Sequence, residues 1–186
     1  SVFKARWGKH SILSGRYRSK NAKGILETGF FESLSGTNGG LNETEIVLII
    51  CRGGGDLATG IVHRLHRAGF RVLVLETDHP AAIRRQVSFC EAVYEGKATV
   101  EGVTAQRIDS VSEMEEDFAG GCVPLFVDSK GASIAELHPD VVVDAIIAKK
   151  NLGTTKEMAP LVIGVGPGFT AGVDVDLVIE SMRGHN

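Results

Sequence analysis

From residue 45 onward the chain alternates short apolar runs with glycine-bearing turns. Ile46–Cys51 is apolar at every position, as a strand covered by helices on both faces must be, because neither face meets water. Arg52-Gly53-Gly54-Gly55 interrupts it, and from Asp56 the residues Leu57, Ile61, Val62 and Leu65 recur at helical spacing until Gly69 closes the helix. Arg71–Glu76 is a second apolar run, so 45–76 reads as a βαβ unit with a glycine turn. Runs at 123–127, 141–147 and 161–165 predict three more parallel strands, and 175–182 predicts a closing helix. Between them, Pro80 can open a short helix through Ala81, Ile83 and Val87, and Glu95-Gly96 and Glu101-Gly102 suit a small hairpin. Ser110–Phe118 has helix character, with Ser110 or Ser112 as cap. The pattern predicts an α/β fold: a Rossmann-like open, mostly parallel sheet with helices on both faces.

In such sheets ligands bind outside the carboxyl ends of the strands, which selects the residues that carry chemistry. Gly53, Gly54 and Gly55 permit a sharp turn and close approach of backbone N–H groups to a ligand, and Ala58 completes a G-x-G-x-x-A reading for which a phosphate is the expected guest. Glu76 follows by about twenty residues, the spacing at which dinucleotide-binding folds place a ribose-binding acid. An acid there would repel a 2′-phosphate, so any dinucleotide binding should favour NAD over NADP. Asp56 is expected at the helix N-cap, where its carboxylate suits the helix dipole but opposes a pyrophosphate. Either Asp56 is only a cap, or the loop takes something cationic, metal-bridged or smaller than a dinucleotide.

Arg84 and Arg85 are adjacent, so one of them can clamp an anion at the crevice while the other pairs on the surface. Lys149, Lys150 and Asn151 lie just past the fourth strand. Asp144 inside that strand is a buried carboxylate that must be hydrogen bonded, either as an acceptor for loop amides or as a site acid. The fifth strand feeds Gly166-Pro167-Gly168-Phe169, a second glycine loop on the same edge. The two loops are expected to flank one pocket, with Asp56, Glu76 and Lys149 on its rim, unless Pro167 and Gly168 form a plain turn and Phe169 plugs the core.

Composition changes the picture at one end. With 186 residues and 43% apolar content the chain suffices for one ordinary core. Residues 1–44 are rich in Gly and Ser, and residues 1–24 carry Lys4, Arg6, Lys9, Arg16, Arg18, Lys20 and Lys23 with no acid. They read as a basic arm or linker, within which Gly24–Phe31 could add a strand or short helix. Residues 45–186 form the domain. That body is acidic, a poor match for nucleic acid. Cys51, Cys90 and Cys122 are odd in number and far apart, which fits neither a disulfide framework nor a C-x-x-C site and points to a reducing cytoplasm. Each is most simply a small buried residue, while Cys51, at the crevice, could carry sulfur. His63 and His66 lack a third ligand at suitable spacing, so no metal site is expected. No apolar run is long enough to span a bilayer, so no membrane partner is expected.

Gly54-Gly55-Asp56-Leu57-Ala58-Thr59-Gly60, His63-Arg64-Leu65 and Ala68-Gly69-Phe70 open a series of ordered blocks. The series continues with Pro80, Ile83-Arg84-Arg85, Glu91–Gly96, Val100–Val103, Val143-Asp144-Ala145, Ala148–Thr154, Gly166–Gly172 and Met182–His185. Together these resemble the accessory proteins of selenium-dependent molybdenum hydroxylases, a Rossmann-like family distantly similar to the xanthine dehydrogenase accessory proteins. The resemblance spans roughly residues 45–185 and implies a C-terminal continuation absent from this chain. It implies a maturation role, with the molybdenum cofactor or its nucleotide form as a nucleotide-containing ligand. The implied partners are a molybdenum hydroxylase apoenzyme or a cofactor-delivery protein, and a homodimer is open to it. Two other readings compete: an NAD(P)-dependent oxidoreductase using the first loop and Glu76, and a non-catalytic scaffold whose crevice binds a partner. No triad, paired catalytic carboxylates or metal motif singles out a reaction.

Overall fold

The computed structural model describes residues 2–7, 11–15 and 47–182. In chain order the elements are β1 (Val2–Trp7), β2 (Ser11–Gly15), β3 (Leu48–Arg52), α1 (Asp56–Arg67), β4 (Arg71–Glu76), α2 (Ala92–Glu95), β5 (Lys97–Val100), β6 (Val103–Ile108), α3 (Met114–Ala119), β7 (Val123–Val127), α4 (Ile134–Leu137), β8 (Val141–Asp144), β9 (Leu161–Val165) and β10 (Leu177–Met182). They make one ten-stranded sheet in the order β2-β1-β10-β9-β8-β3-β4-β7-β6-β5. The strands from β10 across to β6 are parallel; β5, β1 and β2 extend the two ends antiparallel to their neighbours.

The segment β7-β4-β3-β8-β9-β10 has the doubly wound order of a Rossmann fold, in which the direction of winding reverses between the first and fourth strands, here β3 and β8. The apolar runs produce it because both faces of the central strands are buried. On β3, Ile49 and Cys51 face one layer and Ile50 the other; on β4, Val72 and Val74 oppose Leu73 and Leu75; on β8, Val141 and Val143 oppose Val142. The first layer is closed by Ala58 and Val62 of α1 together with Phe89, Ala92 and Val93. The second is closed by Ile134 of α4, Val175 and the partly buried Met114 and Phe169. The α/β class and open parallel sheet expected from the apolar pattern are therefore present.

Three elements differ from that pattern. Residues 177–182 form a strand rather than a helix: β-branched Val178 and Ile179 pair in parallel with Gly164 and Val165 of β9, and this tertiary ladder outweighs local helical spacing. Residues 81–87 form no α-helix. Arg84 at φ −113°, ψ 73° and the extended Ser88 break it, leaving 3-10 turns at Arg85–Val87 and Phe89–Glu91. The fourth strand stops at Asp144 instead of running to Ile147, because Asp144 Oδ1 accepts the amide of Ile146 and turns the chain. The expected hairpin is β5–β6, turned by Glu101 and Gly102, both at positive φ. Ser110 caps the helical turn before α3 by accepting the Ser112 amide at 3.3 Å.

The start of the basic arm supplies two strands, β1 pairing with β10 and β2 with β1. The expectation for Gly24–Phe31 lies outside the described residues. No helix among the described residues is long and apolar enough to cross a membrane.

The turn after β7 is held by one carboxylate: Asp128 Oδ2 accepts both the amide and the hydroxyl of Ser133 at 2.8 Å. Partial burial raises its pKa, but these bonds, with the amides of Ala132 and Gly131, outweigh burial and hold it below the usual carboxylate range. A carboxyl depressed in the folded state stabilises above its unfolded pKa of about 3.9 and loses that contribution as pH falls through the folded value. Asp128→Ala is therefore expected to cost about 1–2 kcal/mol at neutral pH. The gap between parent and variant should close as denaturation midpoints are followed downward from about pH 4.

Candidate functional site

The carboxyl ends of β3, β8 and β9 lie side by side, and each releases a connection containing predicted site residues. The first glycine turn leaves β3. The Gly53 amide donates to Leu75 O at 2.8 Å, and Gly53 has φ +98° with its missing Cβ pointing 3.1 Å from the backbone of Ala145 and Ile146. A Cβ on Gly54 would lie 3.1 Å from the amide of Cys90, which donates to Gly54 O at 2.8 Å. Thr59 Oγ1 also donates to Gly54 O and accepts the Phe89 amide. Two of the three glycines thus make room for the protein's own backbone. Only at Gly55 does the Cβ position meet nothing within 4 Å, leaving it as the open face of the turn.

The acids of this turn are engaged. Glu76 Oε2 accepts the Gly54 amide and Oε1 the Thr77 amide, both at 2.7 Å, so the carboxylate expected on a ribose braces the turn itself. Asp56 is not the helix N-cap. Gly55 takes that place in an extended conformation, its carbonyl accepting the Thr59 amide at 2.8 Å, and Asp56 is the first helical residue. Its Oδ1 accepts the Leu57 amide, and its Oδ2 accepts from Nε and Nη2 of Arg84. The Arg84 guanidinium holds the Asp56 carboxyl below its ordinary range. Arg84 and Arg85 do diverge, but each meets a carboxylate, since Arg85 binds Glu91 through two bonds and lies 4.9 Å over the Tyr94 ring.

The second glycine loop leaves β9 and packs on the connection from β8. A Cβ on Gly168, at φ +98°, would stand 2.8 Å from Lys150 Cα and 3.1 Å from the Asn151 amide nitrogen; Gly166, at φ +94°, faces the Ile147 side chain at 3.6 Å. Phe169 lies directly over Gly164, where a Cβ would be 2.6 Å from its ring, and joins the second core layer. Asn151 is a turn former: Oδ1 accepts the amides of Gly153 and Thr154, and Nδ2 donates to Thr154 O. Lys149 and Lys150 are exposed. The two glycine loops therefore share one edge, with residues 145–151 wedged between them, touching Gly53 on one side and Gly166 and Gly168 on the other. Within that wedge Ile147 sits at φ +59°, a conformation a β-branched residue enters only under constraint.

Sequence reasoning passed over the residue beneath this edge. Arg52, 2% exposed, ends β3 and stands in register with Asp144 of β8. Its Nη1 lies 3.5 Å from Asp144 Oδ2 and bonds Thr154 Oγ1, and its Nη2 points to Ser129 O at 3.4 Å. Thr154 in turn donates to Asp144 Oδ2. The available signal was two opposite charges ending two apolar runs, since such charges are buried together or not at all. Asp144 is the acceptor of a loop amide that the sequence suggested, and the partner of this arginine besides.

The thiols of Cys51 and Cys90 are poor nucleophiles. Cys51 is buried in the first core layer, its pKa raised by burial and by Asp144 and Glu76, and it donates weakly to Gly53 O at 3.6 Å. Burial pushes the Cys90 thiol up to about 11. Among the described residues no group of three or more His, Cys, Asp and Glu is placed to hold a metal ion. A shallow recess lined by His66, Phe70, Arg71, Phe118 and Cys122 lies at the opposite, amino edge, away from both glycine loops.

These surroundings separate the glycines. Gly55→Val enters open space at an ordinary φ of −65° and should change stability by no more than about 1 kcal/mol, the scale of an N-cap substitution. Gly168→Val meets the Lys150 backbone in a left-handed conformation and should cost about 3 kcal/mol from strain and overpacking combined. Urea midpoints of the two variants check this difference.

No protein-family model matches the chain, and no solved structure matches it. Among curated proteins it is similar to Uncharacterized protein YqeB of Escherichia coli (strain K12), 49% identical over 138 residues, covering 74% of this chain and 26% of that protein. The chain thus spans about a quarter of the length of the curated relative it matches.

Proposed function

We propose that this chain serves the maturation of a molybdenum hydroxylase, selenium-dependent by resemblance, by holding a nucleotide-containing ligand at the carboxyl edge of the sheet. The ligand in this reading is the molybdenum cofactor or its nucleotide form, and the partner is a hydroxylase apoenzyme or a cofactor-delivery protein. The observation that carries the reading is the convergence of the first glycine turn, the Lys149–Asn151 connection and the second glycine loop where the winding of the sheet reverses, between β3 and β8. Gly55, open on its outer side, and the exposed Lys149 and Lys150 would hold the anionic part. Three of the ordered blocks resembling the accessory family, Gly54–Gly60, Ala148–Thr154 and Gly166–Gly172, fall on these same connections.

The position of Glu76 at the end of β4 favours a second reading, an NAD(P)-dependent oxidoreductase. Against it, both oxygens of that carboxylate accept backbone amides, so the acid expected on a ribose is engaged by the turn itself.

Equilibrium titration with a molybdopterin dinucleotide, NAD and NADP tests the choice. The molybdopterin ligand is expected to bind at least about tenfold more tightly than NAD, a difference of about 1.4 kcal/mol, and Gly55→Val to weaken it by a similar factor. Absence of molybdopterin binding, or NAD binding that is tighter and weakened by Glu76→Gln, would overturn the proposal in favour of the second reading or of neither.

A further inference from the structure

Arg52 touches three connections at the carboxyl edge. It ends β3 immediately before the first glycine turn, points to Ser129 O in the turn after β7, and meets Asp144 and Thr154 at the two ends of the connection leaving β8. The apolar layer around it, formed by Ile50, Leu73, Leu75, Ile134, Val142 and Val162, is continuous without it. A buried ion pair is weak evidence for stability, because desolvation of both charges offsets their attraction and well-packed apolar replacements are often neutral or better. What a buried guanidinium supplies that an apolar side chain cannot is direction: planar donors that fix where separate segments of backbone lie.

The connection it grips is the one under constraint. Asp144 holds the Ile146 amide with Oδ1 and the Thr154 hydroxyl with Oδ2, so one carboxylate closes both ends of the stretch containing left-handed Ile147 and the exposed Lys149 and Lys150. Strained backbone persists only where its surroundings over-determine it. Here the surroundings are Asp144, itself oriented by Arg52, and the contacts that Gly53, Gly166 and Gly168 make with the same stretch.

We infer that Arg52 is a positioning residue: through Asp144 and Thr154 it holds residues 146–154 in the conformation that seats Lys150 against the second glycine loop and keeps Lys149 and Lys150 exposed on the carboxyl edge. The inference rests on the proposed ligand site for its functional meaning, whereas the ordering of the connection stands independently of any ligand.

The test uses hydrogen–deuterium exchange of the ligand-free protein, followed by titration with a molybdopterin dinucleotide. Arg52→Met/Asp144→Leu removes the pair while keeping the volume apolar and should melt within a few degrees of the parent. Exchange at 146–154 should speed up by at least about tenfold, the mark of a local opening, while β3, β4 and β8 keep their protection. Arg52→Lys retains the charge but not the planar fork, and should show the same local acceleration in a folded protein; it decides the matter where the double variant does not fold. Unchanged exchange at 146–154 in a folded variant would overturn the inference, as would uniform acceleration across the sheet, which marks a purely structural role. A parent that binds no molybdopterin dinucleotide sinks the ligand proposal but leaves the exchange result to stand or fall by itself. With binding present, the folded variant should bind at least about tenfold more weakly.

Discussion

A guanidinium in an apolar layer constrains everything built above it. Arg52 has to find acceptors within reach of the end of β3, and the protein supplies them from Asp144 at the end of β8 and from the connections after β7 and β8. The cost of burying a charge is thereby offset only if those connections stay where they are. Asp144 is the hinge of this arrangement, because it answers the arginine, the Thr154 hydroxyl and the Ile146 amide at once. Truncating one member leaves a buried charge without its counterpart, which generally costs about 3–5 kcal/mol, whereas removing both charges need not.

The central strands were legible because burial on both faces writes an unbroken apolar run, and β3, β4, β7 and β9 appear where such runs occur. β10 was not. Val175–Met182 has a mixed polarity that local periodicity assigns to a helix, and what makes it a strand is the exposed edge of β9, a partner no local window contains. The helix expected after Pro80 failed for a related reason: Phe89 and Cys90 are drawn into the first glycine turn through Thr59 and Gly54, and that tie sets the path of the preceding residues.

At the site the residue types were legible but their orientation was not. Three consecutive glycines look alike on paper, yet Gly53 faces the connection after β8, Gly54 faces Cys90, and only Gly55 faces outward. Glu76 and Asp56 were legible as acids near a phosphate-type turn; that each is already spoken for, by amides and by Arg84, depends on distances no spacing rule encodes. Arg52 is not legible in the sequence, because a single cation beside a glycine turn looks like a solvated residue until its neighbouring strand is known to end in Asp144.

The bond from the Gly54 amide to Glu76 carries one more consequence. An acceptor that claims this N–H from outside takes it from a carboxylate already in place, so binding there is a swap of partners rather than the filling of a vacancy. The observed affinity is then a difference between two charge-assisted hydrogen bonds, and a neutral acceptor starts at a disadvantage. Such a turn discriminates by how strongly a guest's oxygen competes as well as by shape, and the carboxylate released must find new donors in the loaded protein.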